Sequence, residues 1–444
     1  MLKILINSYT CCPEMGSEQG MGWNWIINLA RYCELYVISE GEYRSQVEAA
    51  SAWDCGDAEV NEYGLTREQC QNLHFFWIPI GGNDAALCDK VRKMCWNQGD
   101  WRFYIYYKTW QQQVADKARE ICDQVRIDVL HQLNMIGFRE PGFLWQVSRE
   151  TGIPFVWGPI DAKEGFPINY AQESTIQTKV FLWLKNRITR WQLSHDKRVR
   201  AAAQTASVVV SSTSNSVYAF RKYQHMETVL LNETGCHVHD IPVVDKSQKQ
   251  RFDMLWVGKL DFRKQLSLAL RIVARMKRKD VFLHVVGGTL EEEEPYKQKA
   301  HELGIDQQIV WHEKVPHKTV QVLMRKSDVL LFTSVAEGTP HVVLESIANN
   351  LPVVCFDTCG HGDSVNEKVG VKIPLSNPRQ SVEDFASALD RLYANRSLLS
   401  EMSSQCVARQ RELSWDSKIR AMVDLYEKAV DGKVTDPKNA NLSN

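Results

Sequence analysis

No Asp-x-Asp occurs anywhere in the 444 residues, so a common way of gripping a metal–diphosphate complex with paired aspartates is missing. Nor does any run approach the ~20 apolar residues that a membrane-spanning helix needs. The twelve cysteines include no Cys-x-x-Cys and no Cys/His pair at zinc spacing, and Cys11 and Cys12 are adjacent, which argues against a zinc ribbon or a redox dithiol. The opening MLKILINSY is an apolar stretch of strand length without the longer apolar core of an export signal. The expectation is a cytoplasmic chain in a reducing compartment, its cysteines mostly free thiols. Charge of one sign is also absent. The 53 Lys/Arg and 54 Asp/Glu leave a net charge of −1, so no global field recruits nucleic acid.

What is present is an ordinary globular composition, 44% apolar and 24% charged, with length for two or three domains. Strand-length apolar runs recur, each followed by a helical pattern, which reads as α/β with parallel sheets. The first half offers Lys3 to Ser8, Glu34 to Glu40, Leu73 to Ile80, Asp128 to Leu133, Phe155 onward, Ser207 to Ser214 and Thr228 to Gly235. A long helical stretch from Asp89 to Gln124 carries Trp96, Trp101, Tyr104, Tyr107 and Trp110, an aromatic stripe read as core packing or as sugar-stacking surface. Residues 236–251 are polar with an isolated proline, Pro242, and read as a linker. The second half offers strands ending near Gly258 and Gly288, a short one at Ile309, and then the most informative segment of the chain.

That segment is DVLLFTSVAEGTPHVVLESIANNLPVVCFD, residues 328–357. Two strands flank a helix for which Thr339 can serve as cap and Pro340 as first-turn residue. Glu337 falls in the loop and Glu345 inside the helix, so two carboxylates lie near a strand's carboxyl end and a helix N-terminus. Carboxylates there can hold vicinal sugar hydroxyls, and free helix amides can hold phosphate oxygens. Upstream, the loop after the strand that ends at Gly258 presents Lys259, Arg263 and Lys264 ahead of another helix N-terminus, a second anion-binding arrangement.

The Glu337-Gly-Thr-Pro-His-Val-Val-Leu-Glu345 segment resembles the Glu-x7-Glu signature of retaining glycosyltransferases of family 4, bacterial polysaccharide-biosynthesis members above all. It departs from the usual pattern at Thr339 and Pro340, where an aromatic residue and a glycine are customary. The resemblance implies a GT-B fold: Rossmann-like domains over 1–235 (acceptor) and 250–415 (nucleotide sugar) facing each other across a cleft, with a helix over 416–430 crossing back to the first. It implies metal-independent, retaining transfer of a hexose from a nucleotide-diphosphate sugar to a carbohydrate or lipid-linked acceptor, with no cofactor. Lys259, in the place of a customary Arg, and Lys264, with Arg263 nearby, would hold the diphosphate. Glu345 would grip the ribose, and Glu337, beside Gly338 and Thr339, would bind the transferred sugar. Lys314 and Val315 would receive the nucleobase. Gly16, Gly20 and Gly22 would floor the cleft near donor phosphate and acceptor, His131 would touch the donor sugar, and Arg139 and Glu140 would reach the acceptor. The alternatives are a nucleotide-sugar epimerase on the same fold and a non-catalytic carbohydrate-binding or scaffold protein. A NAD enzyme is disfavoured, because the glycines after the first strand do not fall in the GxGxxG register.

Residues 176–200 carry seven Lys/Arg against one Asp among Phe181, Leu182, Trp183, Leu184, Ile188 and Trp191. That is the composition of an interfacial helix at the inner face of a membrane, or of a helix with a solvated basic face.

Overall fold

In the computed structural model, residues 1–246 and 249–432 are described; the polar tail from 433, expected to fray, and the middle of the expected linker lie outside them. Two all-parallel sheets organise the chain. The first contains β1 (Leu2–Ser8), β2 (Cys33–Ser39), β3 (Leu73–Trp77), β4 (Val129–Asn134), β5 (Phe155–Ile160), β6 (Val208–Ser211) and β7 (Val229–Leu230) in the order β3-β2-β1-β4-β5-β6-β7. The second contains β8 (Phe252–Val257), β9 (Val281–Val286), β10 (Ile309–Trp311), β11 (Val329–Phe332), β12 (Val353–Phe356) and β13 (Gly370–Ile373) in the order β10-β9-β8-β11-β12-β13. Helices cover both faces of each sheet, as the continuously apolar central strands require. Apolar clusters fill both sides of each, for example around Trp256 and Phe356 on one side of the second sheet and Leu330 and Ile347 on the other.

Strand order reverses between β1 and β4 in the first sheet and between β8 and β11 in the second. Crevices open at such switch points, outside the carboxyl ends of the strands. The last helix, Trp415–Val430, packs back on the first unit, where Trp415 meets Trp25 edge-on and Tyr426 meets His131.

The expected helix from 89 to 124 is interrupted. One helix ends at Lys93, a π-helical turn covers Met94–Gln98, and a second helix begins at Phe103. Gly99 sits between them at φ 59°, a left-handed conformation that glycine adopts without Cβ strain. Most of the aromatic stripe is core: Tyr107 and Trp110 are buried and pack edge-on against Tyr9, whereas Trp101 is exposed.

Candidate active site

The switch point of the second sheet gathers unlike charges. β8 feeds a loop carrying Lys259, Arg263 and Lys264, and β11 feeds a loop carrying Glu337. Two hydrogen bonds clamp the two loops together, Thr333 Oγ1 to the Lys264 carbonyl (2.8 Å) and Val335 N to the Arg263 carbonyl (3.0 Å), and Ser334 Oγ lies 3.2 Å from the latter carbonyl. Held this way, Lys264 Nζ lies 2.7 Å from Glu337 Oε1, both side chains largely shielded from water, and Ser334 Oγ donates to the same carboxylate oxygen at 2.6 Å. Lys259 is exposed, and Arg263 is turned back onto Asp261 at 2.7 Å. Gly287, at φ 125°, lets the neighbouring β9 loop approach, since a Cβ there would come within 2.2 Å of the Gly258 carbonyl oxygen.

Lys163 and Glu233 from the first unit, and His361 from the second, complete this centre. Lys163 donates to the Glu337 carbonyl oxygen at 2.9 Å and pairs with Asp161 at 2.9 Å. Burial works to lower its pKa, but Asp161 leaves the ammonium above its ordinary value. Glu233, buried and therefore raised in pKa, accepts from Thr339 N (2.5 Å) and Thr339 Oγ1 (2.7 Å). His361 is fully buried with both ring nitrogens unpartnered. It packs edge-on against Phe332, and burial, helped by Lys264 and Lys163, pushes its pKa down to about 3.

These contacts correct two expectations. Thr339 does not cap the following helix; Pro340 precedes it and the helix runs His341–Ala348, because Glu233 already holds the threonine hydroxyl and amide. A Cβ on Gly338 would come within 2.4 Å of Glu233 Oε1, so Gly338 and Thr339 seat a protein carboxylate rather than presenting free groups to a donor. Glu345 does not join Glu337. It pairs with His317 at 3.2 Å and lines a separate cavity of about 610 Å³ with Cys236, His237, His317, Arg325 and His341. Lys314 is exposed and Val315 half-buried in the loop after β10, which leads into the helix that begins at His317.

The switch point of the first sheet departs further from expectation. His131 is wholly buried in β4, with Nε2 at 2.6 Å from the Gly158 carbonyl and Nδ1 at 2.6 Å from the Tyr426 hydroxyl. A carbonyl only accepts, so Nε2 carries the proton and Nδ1 accepts from the tyrosine; burial keeps the ring neutral by lowering its pKa to about 4. It faces no cleft, which overturns its donor-contact role. Arg139 donates to Gln192 Oε1 (2.7 Å) and Thr189 Oγ1 (2.6 Å), and Glu140 is paired with Arg198 at 3.0 Å, so both are engaged inside the first unit rather than free for an acceptor. Gly20 and Gly22 serve packing: a Cβ would meet the Met15 carbonyl oxygen at 2.1 Å or the Thr10 carbonyl oxygen at 2.4 Å. Only Gly16, at the start of the Ser17–Leu29 helix, faces open space. Beside that helix start the half-buried Glu18 accepts from Ile136 N at 2.7 Å, and burial, aided by Glu233 and Asp161, raises its pKa to about 7.

Among the described residues no group of three or more His, Cys, Asp or Glu is placed to hold a metal ion, and no helix is long and apolar enough to cross a membrane.

Residues 240–412 match the family model "Glycosyl transferases group 1". A lipopolysaccharide 1,6-galactosyltransferase of Salmonella typhimurium is 26% identical over 178 residues, covering 37% of this chain and 45% of the relative. A D-inositol 3-phosphate glycosyltransferase of Streptomyces bingchenggensis is 26% identical over 189 residues, 40% of this chain and 41% of the relative. The matched stretch thus spans less than half of each curated relative. Solved structures match nearly end to end. Sucrose-phosphate synthase from Thermosynechococcus elongatus has a TM-score of 0.59 at 13% identity, covering 96% of this chain and 99% of its own. A lipopolysaccharide outer core galactosyltransferase in its apo form has a TM-score of 0.59 at 14% identity, with coverages of 98% and 100%. An Anabaena protein solved with UDP has a TM-score of 0.58 at 14% identity, covering 96% of this chain and 100% of that one. The fold is GT-B.

Proposed function

We propose that the crevice at the β8/β11 switch point is the donor site of a metal-independent, retaining glycosyltransferase of family 4. It would move a hexose from a nucleotide-diphosphate sugar to an acceptor hydroxyl in cell-surface polysaccharide or glycolipid assembly. The observation that carries this reading is the Lys264–Glu337 pair, a cation and a carboxylate 2.7 Å apart where a parallel sheet opens its binding crevice. Without ligand each neutralises the other. A diphosphate would draw Lys264 to its oxygens, with Lys259 and the amides of the Leu266–Met276 helix adding to the field, and would free Glu337 to accept from sugar hydroxyls. In the transfer step the bond from the anomeric carbon to the diphosphate oxygen breaks, with its electron pair on the oxygen. The acceptor oxygen bonds that carbon from the same face, and the acceptor proton passes to the departing diphosphate. No enzyme nucleophile takes part. Lys314 and Val315 would lie by the base. The Anabaena neighbour solved with UDP makes a uridine nucleotide the first to try.

A thermal-shift screen with UDP, GDP, ADP, CMP and dTDP tests this. One nucleotide at a hundredfold excess over its Kd should add about 2.7 kcal/mol of stability, and Lys264→Ala should abolish that gain. A shift that persists in Lys264→Ala, or no shift with any of them, would refute the donor site.

A further inference from the structure

The Ile176–His195 helix presents two opposite faces. Successive residues turn by about 100°, so Leu182, Asn186, Thr189 and Leu193 share one side, and these are the buried ones; the helix packs on the Ser214–Gln224 helix, and Leu182 joins the apolar cluster around Trp256 and Phe356. The opposite crest carries Val180, Leu184, Ile188 and Trp191, all exposed, with Phe181 beside them. Trp191 and Phe181 are each 61% exposed. A wide apolar crest pointing away from the core is unusual on a globular surface.

Its flanks are cationic. Lys179 and Arg190 lie on one side of the crest, Lys185 on the other, and Arg187 stacks on Trp183 at 5.2 Å from the ring centroid. The helix has no Asp or Glu, and among the described residues no ion pair involves any of these four cations; Lys179 donates to the Gln172 carbonyl at 3.1 Å. The whole chain is nearly neutral, so this is a local concentration of positive charge. Arg139 bonds to this helix through Thr189 and Gln192. Lys185 lies within electrostatic reach of Lys163 and Arg263, so one flank of the helix borders the crevice.

We infer that this face docks on an anionic lipid surface. An apolar crest rimmed by lysine and arginine suits the headgroup boundary, where aromatic and aliphatic side chains enter the acyl region and cations meet lipid phosphates. A second copy of the chain suits it less, because apposed identical faces would bring like charges together. The inference does not depend on the donor reading, since docking requires no nucleotide.

The test is flotation of the full chain with vesicles of phosphatidylcholine alone and of phosphatidylcholine with an equal part of phosphatidylglycerol. The protein should float only with the anionic vesicles and release as salt is raised. Leu184→Glu/Trp191→Glu should lower the partition constant at least tenfold. Lys179→Gln/Arg190→Gln should lower it roughly fivefold per cation removed. Leu184, Arg190 and Trp191 are exposed and Lys179 is half-buried with its ammonium on the Gln172 carbonyl, so the crest variant should melt with the wild type and the cation variant close to it. Failure to float, equal flotation with neutral vesicles, or undiminished flotation of the crest variant would overturn the inference. So would lipid-free self-association that the crest variant abolishes, which would assign the face to a second copy.

Discussion

The two sheets carry equivalent crevices, and their side chains are used in opposite ways. At the β8/β11 switch point Lys264 and Glu337 neutralise only each other and can both turn to a ligand. At the β1/β4 switch point the polar groups nearest the strand ends are already committed: His131 to Gly158 and Tyr426, Arg139 to Thr189 and Gln192, Glu140 to Arg198. One crevice keeps a single exchangeable pair among groups otherwise engaged, and the other engages His131, Arg139 and Glu140 alike inside the first unit. A charged or titratable residue at a switch point is therefore a site residue only when its hydrogen bonds within the protein are exchangeable for those of a ligand.

The largest test of this contrast is removal of the exchangeable pair. Lys264→Ala and Glu337→Ala should each reduce transfer roughly 100- to 1,000-fold while far-UV circular dichroism stays native, measured as release of nucleoside diphosphate with an acceptor supplied. Wild-type turnover in either would move the chemistry out of this crevice.

Next in size is Glu18, whose carboxyl is raised from an ordinary 4.5 to about 7. Below pH 4.5 both folded and unfolded chains hold its proton and the shift has no effect. As pH rises toward 7 the folded state binds more protons than the unfolded, so stability falls, and the full cost applies above that pH. Glu18→Gln, which can still accept from Ile136 N, should therefore stabilise the protein by up to about 3 kcal/mol at pH 8 and by nothing near pH 4, read from urea unfolding at each pH. A pH-independent difference would show that the carboxyl is not held neutral.

Tyr426→Phe strips His131 of one partner and should cost about 1–2 kcal/mol in stability with turnover per folded molecule unchanged. A drop in turnover instead would return His131 to the chemistry. Arg139→Ala should be the mildest, about 1 kcal/mol of stability and no change in KM for the acceptor; a raised KM would place it at the acceptor after all.

Much of this was legible in the chain itself, for reasons of distance along the sequence. β8, β11, β12 and the Trp415–Val430 helix each announce themselves by apolar runs or helical spacing, and Lys264 and Glu337 sit in the short loops those elements define. Lys163 lies in the segment 155–165, whose Gly-Pro loop resembles one at the cleft mouth of family members, whereas Glu233 and Glu18 are placed only through folding and have no motif of their own. His131 misled because every residue of β4 is buried, so alternation along the strand does not say which face is open. Thr339 misled because a local cap was outcompeted by a carboxylate 106 positions earlier. The break in the aromatic helix rests on one glycine, Gly99, whose composition is compatible with a continuous pattern.

Glu233 has a consequence for how this sequence can drift. Its carboxylate fills the space a side chain at 338 would occupy and supplies the acceptor that the 339 amide and hydroxyl require. The three positions form one unit of substitution: a relative that gives up the acid at 233 gains room at 338 and loses the reason for a hydroxyl at 339, while a change at 338 alone displaces a buried charge. Paired replacement across that span, rather than the identity of any one of the three residues, is what descent from a common ancestor should have left in their sequences.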